Sequence, residues 1–303
     1  MLPSIFGVHS VHREASVIAI VGQTASGKTS AAIALAKQIG GEIICADSRT
    51  VYRHMDIGTA KPTKQEQLAV PHHLIDVVEP GEHFTVSNFV QRAKKCMQDI
   101  KLRGNVPIIV GGTGLYVDAL LYNFQFPKVD SVYSRETLQQ MDIENLTTLT
   151  ESLGLDIAVL NTKNKRHLIN AILRNGSNGT SEPLPGGTQI LGITLDRNIL
   201  EERIKQRVET MFETGFLQEA KDVASRFGWD NESMSGIGYR VAREYIEGRA
   251  TEEEAKQAFI KGDRQLAKRQ RTWFKRNADI RWFDSPGELI DYAVEFVGSM
   301  DYN

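Results

Sequence analysis

Short apolar runs alternate with helical stretches along the first third of the chain. Residues 16–21 (SVIAIV) form a β-branched apolar run, and the alanine-rich TSAAIALAKQIG after them reads as a helix ending at Gly40 and Gly41. Three further segments carry the same buried-strand signature: 42–47 (EIICAD), 72–78 (HHLIDVV) and 106–110 (VPIIV). A helix is expected over 86–102, between the last two. From about 123 to 187 the alternation stops. That stretch is polar and mostly helical, and it closes on the turn-rich NGSNGTSEPLPGG. The strand pattern resumes at 188–195 (TQILGITL). Helices are then expected at 198–214 and 216–227, a short one from Ile237, and a longer one from Glu252 to about Lys275. The run IRWFD reads as a final edge strand.

Strands alternating with helices predict an α/β fold, a parallel sheet flanked by helices with ligands at the carboxyl ends of its strands. The core would comprise 1–122 and 188–303, with 123–187 inserted as a helical domain.

Composition narrows the class. Of 303 residues, 41% are hydrophobic and 24% charged, the profile of a soluble globular chain with ample core. No apolar run reaches the roughly 20 residues of a membrane helix, so no membrane partner is expected. The N-terminus lacks a charged-then-apolar-then-small pattern, and no leader is expected there. Cys45 and Cys96 are far apart in apolar or helical contexts, which argues against a disulfide framework or zinc site and for a reducing cytoplasm. The net charge of −2 conceals an asymmetry. Between Lys256 and Arg276 eight Lys and Arg face a single acid, Asp263, which points to a polyanionic partner.

The first strand runs into Gly22-Gln23-Thr24-Ala25-Ser26-Gly27-Lys28-Thr29, a full match to G-x-x-x-x-G-K-[ST] in strand–helix context. Glycines let successive N–H groups curl toward phosphate oxygens, and the helix N-terminus adds partial positive charge. Lys28 would neutralise the terminal phosphate and the Thr29 hydroxyl would ligate a phosphate-bound Mg²⁺. Such a loop is blind to what the diphosphate carries, so a kinase, an NTPase and an alkyl transferase all stay open.

Asp47, at the end of the second strand, could hold the metal, act as general base, or cap a turn. Asp76 has a weaker claim. The turn GGTG (111–114) could bring Thr113 to the phosphate pocket or could be a tight turn only. Arg203 and Arg207 share a helix face; on local sequence that face reads as solvated, paired with Glu201, Glu202 and Glu209. His72 and His73 read as structural. In AKRQRTWFKR, bases beside Trp273 and Phe274 suit phosphate neutralisation and base stacking, with at least one of the two aromatics in the core.

Taken together, GQTASGKT, ADSRTVYRHMDIGTAKP, PHHLIDVVEP, IIVGGTGLYVDALL, GIGYR and RQLAKRQRTWFKR resemble one family, the tRNA dimethylallyltransferases (tRNA isopentenyltransferases, or IPP transferases). The resemblance implies a P-loop NTPase-like fold and transfer of a dimethylallyl group from dimethylallyl diphosphate to N6 of the adenosine just 3′ of the anticodon, in tRNAs reading codons that begin with U. It implies catalytic roles for Asp47 (general base), Thr113 and Arg207, which reverses the local reading of that arginine. The diphosphate would be held by residues 22–29, with Mg²⁺ on Thr29. tRNA contacts would fall on Asp47, Ser48, Arg49, Thr50 and Thr113. They would continue on Arg135, Lys165 and Arg166 of the insertion, on Ile237, Gly238, Tyr239 and Arg240, and on Lys268, Arg269, Arg271 and Lys275. The expected state is a cytoplasmic monomer. Two departures stand out. Gln23 replaces the family's usual proline, a change in loop stiffness, and the insertion is shorter than the family's.

Overall fold

The computed structural model describes residues 16–127, 131–176 and 179–300. The N-terminal stretch without a leader pattern (1–15) and part of the turn-rich linker (177–178) therefore lie outside the described residues. Contacts divide the chain into two compact units, 1–121 with 184–303, and 122–183.

The larger unit is built on six parallel strands: β1 (Val17–Gly22), β2 (Gly41–Cys45), β3 (His72–His73), β4 (Val106–Gly111), β5 (Thr188–Ile193) and β6 (Ile280–Phe283). Their order in space is β3-β2-β4-β1-β5-β6. The chain moves from β1 to β2 past the slot later filled by β4, then crosses β1 to reach β5. The carboxyl ends of β1, β4 and β2 thus lie side by side at a reversal of strand order, where parallel sheets open a ligand crevice.

Period-2 alternation splits the strands between two faces. Ile18, Ile20, Ile43, Ile108, Leu191 and Ile193 pack with α1 (Lys28–Ile39) and the C-terminal α12 (Pro286–Met300) in one buried cluster. Each such side chain contributes roughly 1.5–3 kcal/mol of burial. Against the sheet also lie α3 (Val86–Leu102), α4 (Gly114–Leu121) and α11 (Glu252–Phe274), while α2 (Lys64–Ala69) precedes β3. The sequence pattern did not anticipate α12 or α2. The smaller unit holds α5 (Arg135–Gln140), α6 (Ile143–Ser152) and α7 (Lys165–Leu173) around Leu138, Leu146, Leu168 and Ile172. After β5, helices α8 (Arg197–Glu213), α9 (Phe216–Phe227) and α10 (Ile237–Ile246) join α11 around Phe216, Tyr239 and Phe259, whose rings meet at 5.6 Å.

One strand differs from expectation. Within the sheet the run 72–78 pairs only at His72 and His73, because Leu74 (φ 63) and Asp76 (φ 55) take left-handed backbone and break the ladder, and Val78 makes an isolated parallel bridge to Tyr52 instead. Tertiary contacts hold that bend. The buried Lys61 ammonium donates to Asp76 (2.6 Å), Asp56 (2.6 Å) and the Tyr52 carbonyl (2.9 Å). Asp76 is therefore an ion-pair anchor of the loop.

Glu42, on β2 and 4% exposed, is a second anchor. It accepts from Arg103 (2.9 and 2.7 Å) and Asn105 (2.7 Å), and pairs with His73 Nε2 (2.6 Å). The hydrogen bond from Arg103 is the main reason its carboxyl is held at about 2 instead of the usual 4.5. A depressed carboxyl stabilises the fold above its unfolded value and loses that stabilisation as pH falls from about 4.5 toward 2. The shift corresponds to about 3 kcal/mol. Glu42→Gln is therefore expected to lower Tm at neutral pH and to flatten the acid limb of Tm against pH in that window. An acid limb identical to the parent's would refute this account.

Candidate active site

The phosphate loop follows β1 as the sequence pattern requires. Gly27 adopts φ 90, a left-handed turn that a side chain would strain, and caps α1 without a side-chain hydrogen bond. Ser26 is 1% exposed, and its Oγ has no hydrogen-bond partner. A buried, unpaired hydroxyl in a curl of amides is the feature that a bound phosphate would satisfy. Lys28 Nζ folds back to donate to the Gln23 carbonyl. Burial, with the Arg207 charge next in weight, lowers its amine to about 7 against a smaller opposing pull from Asp47. Thr29 lines the cavity beside this loop.

That cavity, about 620 Å³, brings together most of the residues singled out from sequence. Its walls include Lys28 and Thr29, Asp47 to Thr50, Thr113, Arg207, Ile237 to Arg240 and Arg269. Asp47 Oδ1 accepts from the Arg49 and Thr50 amides (2.7 and 3.4 Å), so it does cap a turn while facing the cavity. Thr113 Oγ1 accepts from Ser48 N at 3.2 Å, tying the GGTG turn to the Asp47 loop. The glycines of that turn serve close approach. None has positive φ, yet a Cβ on Gly111 would lie 2.0 Å from Ala46 O, and one on Gly114 would lie 2.1 Å from Trp273.

The local reading of the Arg203–Arg207 face as solvated is corrected for Arg207, which the packing of α8 holds half-buried, while Arg203 stays exposed. Arg207 Nη1 donates to Thr24 Oγ1 at 2.6 Å, and Arg203 Nη1 reaches Ser26 O at 3.5 Å. Both guanidinium groups thus lie against the phosphate loop, a relation that local sequence does not encode.

Other assigned residues sit differently. Arg49 is committed to the Glu232 carbonyl (2.7 Å) and Ser235 Oγ (3.2 Å). Tyr239 is 1% exposed, with its hydroxyl donating to Glu219 (2.7 Å), so its side chain is committed to the protein interior. Lys268, Arg271 and Lys275 are exposed on α11 and lie outside the large cavity. Arg271 and Lys275 border a smaller recess beside Gly22, Gln23 and Trp282. In the 122–183 unit, Arg135 donates to Asn170 (2.9 Å) and Lys165 to the Gln139 carbonyl (2.6 Å), while Arg166 is exposed. Phe274 is core and Trp273 is half-buried, its Nε1 donating to Asp118 at 2.7 Å. His73 pairs with Glu42. His72 Nδ1 pairs with the Val70 carbonyl (2.7 Å).

Sequence reasoning passed over three residues. Glu219 accepts from the consecutive amides of Asp56, Ile57 and Gly58 at 2.7–2.8 Å, which latches the MDIGTAKP loop. Gln270 bridges the phosphate loop and the GGTG turn through Thr24 N and Gly112 O. Asp263, read only as the lone acid of a basic stretch, is 2% exposed in the cavity wall, with Oδ2 unpartnered and burial raising its carboxyl. A small acid in a helix of bases was the only available signal.

The chain is similar to known proteins along most of its length. An IPP transferase family model matches residues 50–277, and an isopentenyl transferase model matches 15–76. A tRNA dimethylallyltransferase of Oceanobacillus iheyensis is 37% identical over 93% of this chain and 95% of its own length. One of Halalkalibacterium halodurans is 39% identical over 92% and 94%. Among solved structures, the tRNA isopentenylpyrophosphate transferase of Bacillus halodurans superposes with a TM-score of 0.74 at 35% identity, covering 95% of this chain and 99% of its own. A eukaryotic dimethylallyltransferase captured acting on tRNA gives 0.76 at 26% identity, over 88% and 73%. With the phosphate cradle, the facing carboxylate and these matches in hand, the chain belongs to the IPP transferase family of tRNA dimethylallyltransferases.

Proposed function

We propose that the protein transfers the dimethylallyl group of dimethylallyl diphosphate to the exocyclic N6 of the adenosine immediately 3′ of the anticodon, in tRNAs reading codons that begin with U, and releases diphosphate. One observation carries the assignment of roles: a single cavity is lined both by residues of the phosphate loop and by Asp47.

An adenine amine is a weak nucleophile because its lone pair is delocalised into the ring. The Asp47 carboxylate takes the N6 proton as nitrogen bonds to the allylic carbon. The carbon–oxygen bond to the diphosphate breaks in the same step, and the electron pair leaves with the diphosphate. The Lys28 ammonium and Arg207 guanidinium meet the charge that develops on that oxygen. Thr113 ties the loop that carries Asp47 to the turn after β4. The unpaired Ser26 hydroxyl, the amide curl and Thr29 fit a Mg²⁺-bound diphosphate, with Thr29 as the protein ligand. The metal would supply charge neutralisation of the leaving group. Among the described residues no cluster of three acidic, His or Cys side chains could hold an ion without the diphosphate.

The target base must leave the anticodon stack to enter the cavity, at a cost of a few kcal/mol that is least in a loop. The exposed bases of α11 would hold the RNA backbone, and the 122–183 unit, through Arg135, Lys165 and Arg166, would grip the anticodon stem. No helix among the described residues is long and apolar enough to cross a membrane, and a cytoplasmic monomer fits this reading. Purified protein, unmodified tRNA and dimethylallyl diphosphate should yield prenylated adenosine, with no turnover of radiolabelled ATP. Phosphoryl transfer alone would overturn the assignment.

Removing Lys268 and Arg271 together should weaken tRNA binding and reduce the slope of log K against log salt by about 1.5, at roughly 0.7–0.9 per phosphate contact. Anisotropy titrations across a salt series check this; an unchanged slope would move the RNA surface off α11.

A further inference from the structure

One side of α11 is tied to both loops of the cavity at successive turns. The Ala267 carbonyl accepts from Gln23 Nε2 at 3.2 Å. Gln270 Oε1 accepts from the Thr24 amide at 2.7 Å, while its Nε2 donates to the Gly112 carbonyl at 3.1 Å. Trp273 packs over Gly114 and is pinned by Asp118. Spacings of three residues put 267, 270 and 273 on one face of the helix. Lys268, Arg271 and Lys275 are exposed.

Gln270 is the central contact. It engages an amide of the phosphate cradle and a carbonyl of the GGTG turn at once, so its position sets the spacing of two loops that would both face the diphosphate. The carboxamide sits close over that turn: a Cβ on Gly112 would lie 2.2 Å from Gln270 Nε2. Only a carboxamide of this length has the acceptor and the donor needed. Glutamate lacks the donor, leucine lacks both, and asparagine is one methylene short.

We propose that Gln270 is a positioning residue that couples RNA binding on α11 to diphosphate binding in the phosphate loop. This rests on the functional reading above, which places tRNA on the exposed bases of α11. RNA bound there holds the helix against the sheet, and Gln270 passes that restraint to the Thr24 amide and the Gly112 carbonyl. The cradle is then ordered before the donor arrives, so each ligand tightens the other by the same factor.

The test is a binding cycle with Mg²⁺ and inorganic diphosphate as the probe, titrated with and without an unmodified anticodon stem-loop RNA. In the parent, RNA should tighten diphosphate binding about tenfold, within the common range for coupled sites. In Gln270→Leu and Gln270→Glu the factor should fall to near one, while RNA affinity without diphosphate stays at the parent's value. Gln270→Glu keeps the acceptor and is the second arm should the leucine variant not fold. Bound RNA that leaves the parent's diphosphate affinity unchanged, or coupling that persists in both variants, overturns the inference alone. A parent that binds no RNA overturns the functional reading, and the inference with it.

Discussion

Asp47→Asn should leave tRNA and diphosphate affinity near the parent's values and lower the single-turnover rate of prenyl transfer about 10²–10⁴-fold, the usual contribution of a general base. The choice of asparagine follows from geometry. Asp47 Oδ1 accepts the Arg49 and Thr50 amides, so alanine would remove a turn cap along with the base. Asparagine keeps the acceptor and the volume but cannot take a proton at neutral pH. Asp47→Ala should therefore lose transfer as well, with an added loss of order in the 47–50 loop. A single-turnover rate for Asp47→Asn within threefold of the parent would remove the carboxylate from the chemical step.

The second large effect concerns Lys28. Its amine is lowered to about 7, chiefly by burial and then by Arg207. The sign follows directly: above about pH 7 the unliganded amine is increasingly neutral, and a bound diphosphate favours the ammonium. Binding then takes up a proton, and donor affinity falls as pH rises through 7, approaching tenfold per pH unit. Lys28→Met should abolish the slope and cost about 10²–10³ in kcat/KM, comparable to losing one preorganised donor at a developing oxyanion. Isothermal titration in buffers of different ionisation enthalpy counts the protons. A parent with no uptake at pH 8 would contradict the role given to the lysine charge.

Several features that later prove decisive are local, and local features are legible. The phosphate loop combines a β-branched run, glycines at a strand end and a lysine opening a helix; each follows from short-range backbone physics. The helix at 86–102 is similarly self-contained, with Thr85 and Asn88 forming a reciprocal cap. The run 72–78 fails for the opposite reason. Its composition favours a strand, but the Lys61 ion pairs and the left-handed turns at Leu74 and Asp76 override propensity. Arg207 illustrates the same limit. Its helix offers nearby acids as partners, and only the docking of α8 on the phosphate loop shows that the guanidinium goes to Thr24.

By itself the order of residues determined the parallel α/β class and, through motif resemblance, the family, and it led to the expectation of a diphosphate cradle. Those depend on periodicity and on contacts within a few residues. The tertiary structure alone decided that the buried Asp263 shares a cavity with Asp47, Thr113 and Arg207, that Glu219 latches the loop at 56–58, and that Gln270 joins two turns of the site. These contacts link residues from 65 to 246 positions apart. Which of many possible long-range partners a polar side chain meets is set by how helices seat on the sheet, a matter of packing that no short window of sequence contains.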